Sequence, residues 1–425
     1  MNDRKLLVLG GKPIGSCELV EKAKELGCYV VVADYLEEKD SPAKRIADKT
    51  WDVSTSDIEA LKELASKEGI DGVLAGVHEF NLRKMAALSE ALGLPCYCTE
   101  EQLSVCEDKS AFKKRCKDFG LEVSREYSKK EASQLDASYY PLAVKPRDGS
   151  GSRGFSKCLH PAELPKAIEL AENSSSCGEA LIEDFIDSDA LIVQYTAHEG
   201  ELFFSGLTDK YSKKIGAEGA PIMALQTAPS IHIQEYLDKV DEKMRAMLAS
   251  LDIVNGPIWI ELFYQGGKFL VNEAGFRFGG SLTYYLVREL YGIDQLQLVV
   301  DHATGASSEL DYEGQIVDEK YVIWPLHLKA GKISSIEGLE WLRARDEFVA
   351  LAQVHFQGEE IEDWGSAKQV FAYLHLKGSC LADLLMLMRE VLDRVKVLDS
   401  RGNNLLFSLF DPRKEDAYPS FLQGI

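Results

Sequence analysis

The sequence predicts an α/β chain with a mixed α+β centre, and three observations carry that expectation. The first hundred residues alternate short apolar runs with amphipathic stretches. A Gly266-Gly267 turn joins two apolar runs that each carry one carboxylate, Glu261 and Glu273. A third run, ending in Val144-Lys145-Pro146, passes directly into a loop rich in glycine and serine.

The elements follow in order. Residues 5–9 read as a buried strand, Gly10 to Gly15 as a tight turn, 16–26 as an amphipathic helix closed by Gly27, and 29–34 as a second strand. That is a βαβ start, in which parallel strands are joined by a helix. Residues 58–68 read as a helix, 72–76 as a strand and 81–92 as a helix, which completes a small parallel α/β domain. A second block begins near Lys109, with a helix at 111–119, a strand at 141–146, a helix at 161–172 and a strand at 180–186. The runs 256–264 and 268–274 flank the Gly-Gly turn and read as a hairpin. A third block starts near residue 311, mixing a strand at 321–328 with a helix at 381–395.

Composition narrows the function classes. The chain has 425 residues, 45% of them hydrophobic, so two to four domains with buried cores are expected. A net charge of −21 argues against nucleic acid as a partner. The nine cysteines lack metal-ligand spacing, since Cys96 and Cys98 have no second pair to complete a zinc site. No apolar run reaches membrane length, and the one near the N-terminus is too short for a signal peptide core. The expectation is a reduced, soluble, cytoplasmic protein without membrane or nucleic-acid partners.

The chemistry concentrates in a few places. Glu261 and Glu273 fall on neighbouring strands, where facing side chains stand about 5 Å apart. Two acids that close repel unless a cation holds them, and oxygen ligands so arranged suit Mg²⁺ bound with substrate phosphates. The plainer alternative is a surface hairpin with two solvated acids. Arg277, just beyond, suits a phosphate or carboxylate. Gly149, Ser150, Gly151, Ser152 and Gly154 follow Lys145, so backbone N–H groups, hydroxyls and an ammonium converge where a phosphate would sit; the plainer reading is a flexible loop. It is not a Walker loop, whose spacing is absent. Glu183, Asp184, Phe185 and Ile186 end an apolar strand, and such an end can offer an apolar wall and backbone hydrogen bonds to an adenine ring. Lys210 follows another apolar run and, taken singly, reads equally well as a solvated strand end. The turn at Gly10 with Asp34 after the second strand invites a dinucleotide reading. The glycine spacing departs from that fingerprint, and a βα turn needing glycine for its backbone is the simpler account.

The order Lys109, Lys145, glycine loop, Glu183, Lys210, Glu261, Glu273, Arg277 resembles the ATP-grasp enzymes of the carboxylate–amine ligase type. Within that superfamily the chain is most similar to the L-amino acid ligases, which join amino acids into dipeptides. The segment from Val370 to Cys380 and the helix after it are similar to their terminal domain.

The resemblance implies three domains: a pre-ATP-grasp α/β domain at 1–103, an ATP-grasp domain at 104–308 with a mobile lid at about 122–185, and a C-terminal α+β domain at 309–425. It implies that Lys109 and Lys145 contact ATP phosphates beneath the loop from Gly149 to Gly154. Glu183, Asp184, Phe185 and Ile186 would line the adenine site, and Asp187 or Asp189 would meet the ribose. Lys210 would face the reacting phosphoryl group. Glu261 and Glu273 would hold Mg²⁺, or Mn²⁺ in its place, and Arg277 would neutralise the acyl phosphate and the tetrahedral intermediate. The chain departs from the family's Glu-x-Asn-x-Arg pattern, because Gly275 stands where Asn is usual.

The implied function is ATP-dependent activation of a small carboxylate as an acyl phosphate for attack by an amine, joining L-amino acids and releasing ADP and phosphate. The assembly implied is a homodimer. The alternatives are a carboxylase activating bicarbonate and a nucleotide-binding member without turnover.

Overall fold

The computed structural model describes residues 4–12, 14–148, 153–216, 221–310, 312, 314 and 317–414. The N-terminal part is a four-stranded parallel sheet in the order Lys49–Trp51, Tyr29–Ala33, Lys5–Leu9, Gly72–Ala75. Its central strands are apolar nearly throughout because helices cover both faces of a parallel sheet, and Leu6 to Leu9 and Val30 to Ala33 are fully buried. Gly15, at φ +85°, turns the chain into helix Ser16–Glu25, and the Glu18 carboxylate accepts the Gly15 N–H at 2.8 Å.

At the turn after Gly10, the carboxylate of Asp34 is engaged by the protein itself, accepting from Gly11 N at 2.7 Å, Leu36 N at 3.0 Å and Ser41 Oγ at 3.4 Å. A Cβ on Gly11 would stand 1.9 Å from Ser41 Oγ. Gly10 takes φ +82°, a backbone that favours glycine, and Gly11 leaves no room for a side chain.

A second, four-stranded sheet runs Glu126–Tyr127, Ala180–Asp184, Leu142–Pro146, Ser156–Cys158. Helix Leu164–Ser174 covers it over a small core of its own built from Leu142, Val144, Leu164, Ala167 and Ile182.

The largest sheet has nine strands. It begins with the hairpin Lys268–Gly275 and Gly256–Gln265, then continues through Ala190–His198, Glu201–Lys214, Pro221–Ala228, Lys320–Leu328, Val370–Gly378 and Phe348–Gln353, with Leu406–Phe407 pairing Lys320–Leu328. The strands beyond residue 320 thus continue the sheet of the preceding block. They gather a second core around Trp324, Phe371, Leu384 and Met388. The N-terminal sheet and the hairpin share the largest core, in which Val8, Leu82, Ile258, Val271 and Phe276 are all buried. All nine cysteines are free thiols. Among the described residues, no helix is long and apolar enough to cross a membrane.

Candidate nucleotide and metal site

One cleft, of about 660 Å³, collects most of the residues singled out from the sequence. Lys109, Lys145, Lys210, Glu261 and Glu273 line it together with Glu183, Asp184, Phe185, Ile186, Asp187 and Asp189. A volume of that size suits a nucleotide-sized ligand.

The hairpin supplies the acids. Glu261 and Glu273 are direct partners across the antiparallel pair, and the register shifts immediately beyond Glu261. That shift is a bulge at Asn272, where one extra residue sits on the outer strand. A strand normally alternates its side chains between faces, and a bulge re-aims one of them. Asn272 and Glu273 therefore both reach the cleft. Asn272 Nδ2 donates to Glu261 Oε1 at 2.8 Å, and its Oδ1 accepts from Lys145 at 2.7 Å. Asn272 was not foreseen from the sequence, because a bulge leaves no mark in hydrophobic alternation.

Each acid is met by a lysine. Lys210 Nζ stands 2.5 Å from Glu261, and Lys109 Nζ stands 3.6 Å from Glu273. Burial alone would push the Glu261 carboxyl up, but Lys210 outweighs it and holds the group below the usual carboxylate range. The converse holds for Lys210, which burial would lower and which Glu261 raises above an ordinary lysine.

Lys145 pairs with Glu183, on the neighbouring strand of the same second sheet, at 2.5 Å. Glu183 is buried at 3% exposure. Burial pushes its carboxyl up, and Lys145 and Lys113 overcome that, holding it at about 2. Its carboxylate is thus engaged by lysines on the inner side of the cleft wall, while Phe185 and Ile186 form the apolar stretch beside it. Lys157 stacks over the Phe185 ring at 3.8 Å, and Tyr127 donates to Asp184 at 2.7 Å.

Gly149, Ser150, Gly151 and Ser152 lie outside the described residues. Gly154 is not among the residues lining the cleft. It adopts φ +76°, and a Cβ there would come within 2.5 Å of Ser174 and 2.9 Å of Pro146, so only glycine fits where the loop returns to the sheet.

Arg277 is not among the residues that line the cleft. It pairs with Glu79 at 2.8 Å, donates to Phe278 O at 2.9 Å and lies over the Trp259 ring at 5.2 Å. Glu79 opens helix Glu79–Leu92, just beyond the carboxyl end of strand Gly72–Ala75. Ligands of parallel α/β sheets bind at that end of the strands. The pair therefore joins the N-terminal domain to the segment that follows the hairpin. Nothing in the sequence marked Glu79, since it looks like an ordinary first-turn acid.

The donor set fits a hard divalent cation. Among the described residues there is no group of three or more His, Cys, Asp or Glu placed to hold a metal, and Mg²⁺ needs no such group. It typically takes one or two carboxylates and completes its shell with water and phosphate oxygens. Glu261 and Glu273 could supply the carboxylates, with the Asn272 amide beside them.

The nine-stranded sheet, the second, four-stranded sheet and the cleft between them define an ATP-grasp fold. The comparisons with known proteins agree: residues 20–96 match the ATP-grasp N-terminal domain. The chain resembles the formate-dependent phosphoribosylglycinamide formyltransferase of Synechococcus sp., 26% identical over 47% of this chain and 53% of the relative. It resembles that of Erythrobacter litoralis at 27% over 45% and 50%. The chain spans about half the length of these curated relatives. Among solved structures, the L-amino acid ligase of Bacillus licheniformis superposes with a TM-score of 0.75 at 20% identity, covering 94% of this chain and 100% of that one. The phosphoribosylglycinamide synthetase of Anaerococcus prevotii gives 0.74 at 15%, with the same coverage. The biotin carboxylase domain dimer of the Hydrogenobacter thermophilus 2-oxoglutarate carboxylase, bound to MgADP and bicarbonate, gives 0.76 at 17%, covering 93% and 91%.

Proposed function

We propose that the chain is an ATP-dependent ligase that activates a small carboxylate as an acyl phosphate and passes the acyl group to an amine. The observation that carries this reading is the facing pair Glu261 and Glu273, with Lys109, Lys145 and Lys210 around it in one cleft. A carboxylate does not condense with an amine at neutral pH because its leaving group would be an oxide. Phosphorylation supplies a better leaving group, and the protein's task is then positioning and charge neutralisation.

In this reading the adenine lies against Phe185 and Ile186, and the triphosphate runs toward the lysines. Bound between Glu261 and Glu273, Mg²⁺ would offset the charge of the phosphate oxygens. Lys145 and Lys210 would exchange their carboxylate partners for phosphate oxygens, and the loop following Lys145 would exclude water from the reactive intermediate. Arg277 and Glu79 would take the acyl end, with the guanidinium toward the developing oxyanion. The relatives' names support a carboxylate substrate, since they name formate and bicarbonate, and the structural resemblance to an amino acid ligase supports an amine acceptor.

Incubation with Mg-ATP and paired carboxylates and amines tests the reading. ADP and phosphate are expected only when both substrates are present. ADP formed with bicarbonate alone favours the carboxylating alternative, and tight ATP binding with no turnover for any pair favours a non-catalytic nucleotide binder.

Arg277→Ala separates the two ends of the site. Loss of one oxyanion donor typically costs about a hundredfold or more in turnover, so kcat is expected to fall by that order while the ATP KM stays close to wild type. A parallel loss of ATP affinity in steady-state kinetics would return Arg277 to the nucleotide end.

A further inference from the structure

Lys113 is fully buried and serves none of the roles above. It lies one turn beyond Lys109 on helix Lys109–Asp118, on the same face. Its ammonium meets the Glu183 carboxylate and donates to Ser124 Oγ at 2.9 Å. Ser124 Oγ in turn donates to Glu183 Oε2 at 2.7 Å. The other oxygen, Oε1, pairs with Lys145, whose Nζ also donates to Asn272. One buried carboxylate is therefore shared by two lysines. Lys145 lines the cleft and Lys113 does not.

We propose that Lys113 is a positioning residue, a resident counter-ion that keeps Glu183 paired while Lys145 turns from it to the triphosphate. The inference rests on the nucleotide reading of the cleft. Its physical basis is the cost of isolating a buried charge. Breaking a buried ion pair by removing one partner costs several kcal/mol, because the remaining charge is neither paired nor hydrated. Glu183 has almost no access to water. Were Lys145 its only cation, that cost would oppose every move of Lys145 toward a phosphate. Lys113 comes from helix Lys109–Asp118, not from the sheet that carries both Lys145 and Glu183, and Ser124 precedes the first strand of that sheet, so neither depends on where the Lys145 side chain points and both hold Glu183 through such a move. Lys113 cannot substitute for Lys145 at the phosphate, since its side chain has no access to the cleft.

Calorimetric titration with Mg-ATP and a melting curve for each variant test the proposal. Lys113→Met is expected to weaken Mg-ATP binding by about tenfold or more, which is about 1.4 kcal/mol. Adding Glu183→Gln to Lys113→Met is expected to regain part of that loss, because an amide no longer traps Lys145. A scaffold role for Lys113 would give no such rescue. Ser124→Ala, which loosens the same carboxylate without removing a charge, is expected to weaken binding several-fold with little change in melting. Undiminished affinity in Lys113→Met overturns the proposal, as does a double variant that binds no better than Lys113→Met. If Lys113→Met does not fold, unchanged affinity in Ser124→Ala overturns it. Wild-type protein that binds no Mg-ATP would instead overturn the nucleotide reading itself.

Discussion

Replacing Glu273 with alanine is expected to abolish ATP-dependent turnover and leave the protein folded. The two halves of that expectation have separate causes. Glu273 keeps 28% of its side chain exposed, and its lysine partner stands 3.6 Å away. An ion pair with that much water around it contributes roughly 0–1 kcal/mol, so the melting temperature should barely change. The chemistry has no such margin. Glu273 is one of the two carboxylates facing each other across the hairpin, and its loss halves the charge available to a divalent cation. If the cation contributes about 4 kcal/mol to the charge built up during phosphoryl transfer, the rate falls about a thousandfold. Glu261→Ala is a poorer probe, because Glu261 is only 8% exposed and its removal leaves Lys210 without its buried counter-charge. Turnover of Glu273→Ala within tenfold of wild type, at unchanged melting, would remove the acid pair from the mechanism.

The hairpin is legible in the sequence because two local signals agree. Gly266 and Gly267 both take positive φ at the turn, and the apolar runs on either side have strand length. The bulge that brings Asn272 into the cleft is not legible, because it depends on how the two strands slip past each other. The strand Ala190–His198 lies inside the large sheet, between Gly256–Gln265 and Glu201–Lys214, and is buried along almost its whole length. It shows no alternation, and a short unpunctuated apolar run does not distinguish a strand from a buried helix. The strands after 320 read as a separate block, because nothing local says that Lys320–Leu328 will pair with Pro221–Ala228 nearly a hundred residues earlier. The order of lysines and acids is visible in the sequence, and the cleft gathers them. Their present partners are not visible: the pairing of Arg277 with Glu79 and of Lys113 with Glu183 joins residues 198 and 70 positions apart. Contacts of that kind follow from the tertiary fold alone.

Gly275→Asn is expected to destabilise the protein and lower its activity, although it would restore the Glu-x-Asn-x-Arg pattern. Gly275 faces Trp259 directly across the hairpin. A Cβ on residue 275 would stand 2.4 Å from the indole Nε1, 2.5 Å from Cε2 and 2.7 Å from Cζ2. Real Cβ atoms do not approach ring atoms so closely, so the indole would have to swing away. The indole also carries the Arg277 guanidinium over its face. Moving it disturbs the residue assigned to the acyl end and leaves the side chain to repack. Overpacking of this kind costs about 1–3 kcal/mol, a drop of several degrees in melting temperature for a chain of this size. Glycine at 275 and tryptophan at 259 are thus complementary: the ring occupies the volume that an asparagine side chain would need. If so, Trp259→Ala added to Gly275→Asn should recover more stability than Trp259→Ala retains on its own background. A single Gly275→Asn variant that melts like wild type and turns over faster would show that the space beside the indole is not filled as described, and that the missing amide, not the packing, limits the site.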